Sequence, residues 1–98
     1  MAYWIEWDTR ASVDFDKLDN SIKPKIKKYL ERLVNAKNPK EYGKALTGNL
    51  AGCWRYRIKD YRIGARIQDN KLTILIIAID HRKDIYKKLS KRFKDYNQ

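Results

Sequence analysis

The segment from Cys53 to Ile67 (Cys-Trp-Arg-Tyr-Arg-Ile-Lys-Asp-Tyr-Arg-Ile-Gly-Ala-Arg-Ile) leaves little freedom of fold. Apolar and basic residues alternate through it, and in an extended strand successive side chains point to opposite faces. Read as a β-hairpin, it puts Trp54, Tyr56 and Ile58 on one side, with Ile63, Ala65 and Ile67 of the return strand. Arg55, Arg57, Lys59, Arg62 and Arg66 fall on the other, where Arg62 reads as an exposed strand position. The first side needs a core. The second is a cluster of cations whose repulsion calls for an anionic counterpart, and a polyphosphate matches the guanidinium fork.

The rest of the chain supplies what such a hairpin packs against. Lys71 to Asp80 has a near-continuous apolar middle, Ile74 to Ile79, as expected of a central strand covered on both faces. Asp69-Asn70 suits a two-residue turn leading into it. Ala2 to Trp7 reads as a first strand. Asp8 or Thr9 caps a helix whose apolar face is Ala11, Phe15 and Leu18. Asn20 or Ser21 caps the next, where Pro24 falls in the tolerant first turn. Ile22, Ile26, Tyr29, Leu30, Leu33 and Val34 keep helical spacing there, and the lysines between them read as a solvated face. Asn35 to Asn49 is loop-like. After the fourth strand a short helix sets Ile85, Leu89 and Phe93 against an outer face of Lys87, Lys88, Lys91 and Arg92, and the tail from Lys94 is expected to fray. The order β-α-α-β-β-β-α predicts one α+β domain over residues 1–98. Its mostly antiparallel four-stranded sheet lies against an N-terminal α-hairpin, with a short C-terminal helix.

Composition narrows the partners. Net charge is +11, but residues 1–20 hold two basic and five acidic groups, so the basic excess belongs to the remainder. That asymmetry points to a working basic surface facing nucleic acid or an acidic protein. The single Cys53 forms no internal disulfide and reads as a small buried hydrophobe, and no Cys/His cluster exists for a metal. The N-terminus lacks a secretory pattern and the longest apolar run is too short to cross a bilayer, so a cytoplasmic protein with no membrane association is expected.

Leu46-Thr47-Gly48, Gly52, Arg55, Arg57-Ile58, Asp60-Tyr61-Arg62-Ile63, the Asp-Asn turn, the apolar strand and His81-Arg82-Lys83-Asp84-Ile85-Tyr86 together resemble the RelE branch of the RelE/ParE toxin superfamily. The resemblance spans nearly the whole chain. It implies a bacterial or archaeal toxin of a type II toxin–antitoxin pair that enters the ribosomal A site and cuts mRNA. The implied chemistry is 2′-hydroxyl attack on the neighbouring phosphate without metal or cofactor. It also implies a cognate antitoxin, and a toxin that is monomeric when free. Carried onto this sequence, the catalytic residues are Arg55, Arg57, Arg62, Arg82 and Tyr86, with His81 as a further candidate and Lys44, Lys59 and Arg66 as RNA contacts. The ParE branch, which inhibits DNA gyrase without nuclease chemistry, and an inactive basic binding module are the alternatives.

Arginine suits a phosphorane, being always charged and planar, but makes a poor base. Some relatives carry lysines at the positions of Arg55 and Arg57, others a Glu near the position of Lys44, and this sequence has neither. His81 is the only side chain whose ordinary pKa lies near neutrality, and Tyr86 reads as a base-stacking platform or proton donor.

Overall fold

The computed structural model describes residues 2–96. Its centre is a five-stranded sheet in the order β1-β5-β4-β3-β2. The strands are β1 (Trp4–Trp7), β2 (Lys44–Ala45), β3 (Cys53–Ile58), β4 (Tyr61–Gln68) and β5 (Thr73–His81). All neighbours are antiparallel except β1 and β5. The α+β architecture follows the sequence expectation, with one strand more. The additional strand, β2, is a two-residue pairing of Lys44 with Arg55 and Ala45 with Trp54, too short to leave an alternating pattern.

Helices α1 (Thr9–Asp16) and α2 (Lys23–Val34) cover one face of the sheet, and α3 (Ile85–Phe93) lies on the other. Under α1 and α2 pack Tyr56, Ile58, Ile63, Ala65, Ile74, Ile76 and Ile79; under α3 lie Cys53, Leu75, Ile77 and Ala78. The strand β5 serves both faces because it carries a bulge. Gly64 pairs with Ala78 but Ala65 pairs with Ile76, so Ile77 is an extra residue that shifts the alternation by one. The hairpin parity read from the sequence therefore holds on β3 and β4, whereas β5 changes face part-way.

Local chemistry explains the boundaries. Asp8 caps α1 by accepting from the Arg10 backbone N–H at 2.8 Å. The second helix has no side-chain cap: Ile22 holds that position, with Pro24 in the first turn. The expected cap at Asn20 or Ser21 is replaced by a turn in which Asp19 accepts from the Ser21 N–H. At the β4–β5 connection the positive φ falls on Leu72 (φ 49°), after a 3-10 turn over Asp69–Lys71, and not on the Asp-Asn pair. The expected fraying after Lys94 does not extend through the described residues. Lys94–Tyr96 form a 3-10 turn, the Tyr96 hydroxyl donates to Asp8, and the Tyr96 carbonyl accepts from Arg66. Residues 97 and 98 lie outside the described residues.

One further feature sets the position of α3. Strand β1 ends at Trp7, so the edge of β5 beyond Ile76 has no strand partner. Asp14 of α1 takes that place, accepting from the Ile79 N–H at 3.1 Å. The Asp14 carboxylate also pairs with Arg92 (2.6 Å) and Lys88 (3.3 Å) of α3, while Arg92 donates to the Ile77 carbonyl. Lys88 and Arg92, expected on the solvated side of the last helix, thus tie it to the sheet edge and to α1.

Candidate active site

The β3–β4 hairpin places Arg57 and Arg62 directly opposite one another, and Arg55 opposite Gly64. Strand parity turns all three arginines to the α3 face. That face is only partly covered. Leu89 packs over Gly64, and Tyr86, one turn earlier on α3, reaches Arg55 with a 2.7 Å hydrogen bond from the guanidinium to the phenolic oxygen. Gly64 makes this possible: a Cβ there would stand 2.3 Å from Leu89. Arg82 follows β5 immediately, and its N–H donates to the Asp60 carbonyl at 2.8 Å, which fixes that segment against the β3–β4 turn.

The electrostatics of Arg62 report how closely these groups gather. Its guanidinium is pushed below the ordinary arginine value first by desolvation, then by the positive charges of Arg57, Arg55 and Arg82, with Tyr86 acting in the opposite direction. Arg55, Arg57 and Arg62 thus share one face of the hairpin, with the Tyr86 phenol bonded to Arg55. Among the described residues, none of Arg55, Arg57, Arg62 and Arg82 forms an ion pair with a carboxylate. The Arg55 Nε is buried with no hydrogen-bond partner. The exposed members, Arg57 and Arg82, therefore present charge outward without a carboxylate partner, a state that favours an incoming anion.

Several sequence-predicted residues sit elsewhere. Arg62 is not an exposed strand residue: it is 8% exposed, and its Nη1 donates to the carbonyls of Lys59 and Tyr61, both at 2.9 Å. Part of its hydrogen-bonding capacity closes the turn. His81 falls on the opposite face, because it pairs with Tyr61 in a strand position that points toward α1 and α2. Its ring meets Tyr61 edge-on at 5.9 Å, and its Nδ1 accepts from the Lys83 N–H. The strand alternation thus carries it away from the arginines. Lys59 occupies the turn with φ 57° and lines a groove beside α2, so it leaves the arginine face as well. Arg66 is two positions beyond Gly64 along β4, and its guanidinium is engaged by the Tyr96 carbonyl at 2.9 Å. Lys44, exposed on β2 opposite Arg55, shares the face of the arginines and lines a groove with Arg55 and Arg57.

Two supporting residues were missed by the sequence reading. Gly64 interrupts the run of large side chains in β4, a signal of close approach by another element. Asp14 gave no such signal, since an acidic residue on a short surface helix looks solvated. Cys53 is buried, which pushes its thiol up to about 11 and leaves it inert at neutral pH. Among the described residues, no three His, Cys, Asp or Glu side chains come together in a way that could hold a metal ion, and no helix is long and apolar enough to cross a membrane.

The family model for the ParE toxin of the type II toxin–antitoxin system parDE matches residues 5–86. The chain belongs to the RelE/ParE toxin family. Toxin RelG of Mycobacterium tuberculosis is 33% identical to this RelE/ParE-family chain over 88 residues, covering 90% of it and 100% of RelG. The Escherichia coli mRNA interferase toxin RelE is 25% identical over 96 residues, 94% of this chain and 98% of that protein. Among solved structures, the Mycobacterium tuberculosis toxin–antitoxin complex RelBE2 matches with a TM-score of 0.76 and 32% identity, covering 86% of this chain and 95% of that one. A free-state variant of Escherichia coli RelE matches with a TM-score of 0.73 over 94% of this chain and 98% of that one; its 23% identity bears on the fold alone. This RelE/ParE-family toxin thus has the small α+β fold of RelE-type structures.

Proposed function

We propose that this toxin is a ribosome-dependent endoribonuclease that cuts messenger RNA in the A site. The observation that carries the reading is that Arg55, Arg57 and Arg62 share one face of the hairpin, with Arg55 bonded to the Tyr86 hydroxyl and no carboxylate partner for any of them among the described residues. The name of the Escherichia coli relative, an mRNA interferase, supports it.

In this reading the 2′-oxygen of one nucleotide attacks the adjacent phosphorus, and the bond from phosphorus to the 5′-oxygen of the next nucleotide breaks. The products are a 2′,3′-cyclic phosphate and a 5′-hydroxyl. The guanidiniums bind the non-bridging oxygens and stabilise the charge that builds on them, where one well-placed donor contributes roughly 10²–10³ in rate. The 2′-hydroxyl proton passes to a solvent water, and the guanidiniums favour the alkoxide left behind. The leaving 5′-oxygen needs a proton, which Tyr86 gives in this scheme. Its oxygen accepts from Arg55, which leaves its own O–H to point elsewhere. His81 has no part in this scheme, since its ring lies on the other face.

The toxin acts with a cognate antitoxin, as the RelB–RelE complexes among its structural neighbours suggest. Primer extension on message in a translating extract tests the nuclease reading. Cuts inside ribosome-bound codons, with free RNA spared, are expected. Intact message together with blocked DNA supercoiling would instead favour the gyrase-inhibitor reading.

A further inference from the structure

The strand β2 pairs only with Trp54 and Arg55, so the outer edge of β3 has no strand partner from Tyr56 to the turn. Two grooves meet along this edge. One, of about 230 Å³, is lined by Tyr29, Tyr42, Lys44, Arg55 and Arg57. The other, of about 260 Å³, is lined by Lys25, Lys28 and Arg32 of α2 and by Lys59 of the hairpin turn, and it shares Tyr29 with the first. No carboxylate lines either groove. Among the described residues none of these cations forms an ion pair. The Arg32 guanidinium lies 5.8 Å from the centre of the Tyr29 ring, and the Tyr29 hydroxyl donates to the Tyr42 carbonyl. Tyr42 itself is 53% exposed, with its ring available on the surface.

We propose that this edge is a strand-binding track: the RNA being cut continues from the arginine site past Tyr42, around the β3 edge, to Lys25, Lys28 and Lys59. The inference rests on the nuclease reading for the identity of the strand. A row of cations that follows a groove, interrupted by an exposed aromatic ring, is what a single-stranded nucleic acid requires of its binding surface. Phosphates are drawn to the cations and a base stacks on the ring. The lysines of α2 look like a solvated face when the helix is viewed alone. They become a candidate site because Lys59, turned by its left-handed backbone to the same groove, meets them there. The track is also continuous with Arg55 and Arg57, so a strand held at the reacting phosphate is already at its entrance.

The test uses the purified toxin and a short single-stranded RNA, fluorescein-labelled and 2′-O-methylated throughout so that it cannot be cut. In fluorescence anisotropy across a salt series, Lys25→Ala/Lys28→Ala/Lys59→Ala is expected to weaken binding and to lower the salt slope by about 0.7 for each phosphate no longer neutralised. Tyr42→Ala is expected to weaken binding by between about fivefold and a hundredfold with the slope unchanged. Lys87→Ala/Lys91→Ala, on exposed positions of α3, is the control and is expected to bind as wild type. Circular dichroism establishes that all variants are folded. Wild-type affinity and slope in the triple variant and in Tyr42→Ala overturn the proposal. So does an equal loss in the control, which reduces the effect to net charge.

A second arm identifies the strand. Message carrying 4-thiouridine on either side of the cut codon is expected to crosslink to the segment around Tyr42 in the ribosome complex. Crosslinks to the arginine face alone, or contacts at Tyr42 from ribosomal RNA only, overturn the assignment of the track to the message. If the wild-type protein leaves message intact but the anisotropy pattern holds, the nuclease reading fails while the track stands as a binding groove. If message is cut and the pattern is absent, the track fails and the nuclease reading stands.

Discussion

Leu89 lies directly against Gly64, so close that its side chain rests on the backbone of β4 with no room for a Cβ there. Gly64 is also the cross-strand neighbour of Arg55, whose guanidinium reaches Tyr86 one helical turn from Leu89. One missing side chain therefore sets both the seat of a helix and the spacing of a phenol from an arginine. Gly64→Ala tests this. The new methyl has no room and must push α3 outward, at a cost of about 1–3 kcal/mol from overpacking. Displacement of Tyr86 by about 1 Å costs cutting on the order of 10²-fold. The expected result is a lower urea midpoint together with a loss of cleavage that persists under conditions where circular dichroism reports a folded protein. Full cleavage by this variant would mean that Tyr86 need not be held at its present distance.

The Asp14 carboxylate links α1, the edge of β5 and α3, and its titration should be visible in stability. Burial opposes its ionisation, but the Arg92 guanidinium, the Ile79 N–H and the charge of Lys88 outweigh that and hold its carboxyl below the usual carboxylate range. Asp8 is held low as well, first by its hydrogen bond from Arg10 and against some burial, with Tyr96 adding to the effect. A carboxyl whose value is lower in the folded state binds protons more readily when unfolded. Its stabilisation is complete above the unfolded value of about 4 and is lost as pH falls through the folded value. Urea midpoints should therefore be flat from neutrality down to about pH 5 and fall below about pH 4. In Asp14→Asn the buried partner of Arg92 is gone, which costs about 3 kcal/mol at neutral pH, and the acid-side slope becomes shallower. An unchanged slope in Asp14→Asn would assign the acid sensitivity to other groups.

Arg62 combines two functions that one substitution can separate. One Nη atom ties down the β3–β4 turn through the Lys59 and Tyr61 carbonyls. The charge, shared with Arg55, Arg57 and Arg82, faces the proposed phosphate. Arg62→Ala removes both, so its loss of cleavage would be ambiguous. Arg62→Lys keeps the charge but loses the planar fork. It is expected to lose about 1 kcal/mol in urea unfolding, for the weakened turn. In the same preparation cleavage should fall by roughly 10²–10³, for the bidentate grip that an ammonium cannot make. Wild-type cleavage by Arg62→Lys would show that charge alone suffices at this position.

The parts of the structure that could be read from sequence are those governed by local alternation. Trp54 to Ile58 and Ile63 to Ile67 announced their faces because each strand obeys a period of two with no interruption. Arg55, Arg57 and Arg62 of the proposed site followed from that parity, whereas Arg82 came from the resemblance. The sequence offered no face for His81, and the structure pairs it with Tyr61 on the side away from the arginines; the bulge at Ile77, one extra residue in an all-apolar run, likewise leaves no trace in the sequence. Lys59 departs from its strand because it is the turn itself, and a left-handed lysine is uncommon enough that glycine or asparagine would be expected there. Asp14, Lys88 and Arg92 are distant in sequence, so nothing local foretells their pairing. The tail turn is held by Asp8, Arg10 and Arg66, again through long-range contacts. The resemblance to RelE-type toxins pointed to the proposed site but not to the clamp that ties α3 to α1 and the sheet edge.

The bond between Arg55 and Tyr86 makes the two residues a unit, and their double variant measures how strongly they are coupled. Tyr86→Phe keeps the ring, and with it any stacking on a base, and removes only the hydroxyl. Arg55→Ala removes a phosphate contact and also the donor that orients the hydroxyl. If Tyr86 supplies the proton to the leaving 5′-oxygen while Arg55 directs it, each single variant should lose cleavage by about 10²-fold or more. The double variant should then lose little beyond the more severe single one, because groups acting together cannot be removed twice. Single-turnover cleavage on programmed ribosomes supplies the rates, with toxin saturating so that ribosome binding does not enter. Losses that multiply in the double variant would mean that Tyr86 serves the RNA independently of Arg55. Wild-type cleavage by Tyr86→Phe would restrict the tyrosine to stacking, and the leaving-group proton would then have to come from water or the ribosome.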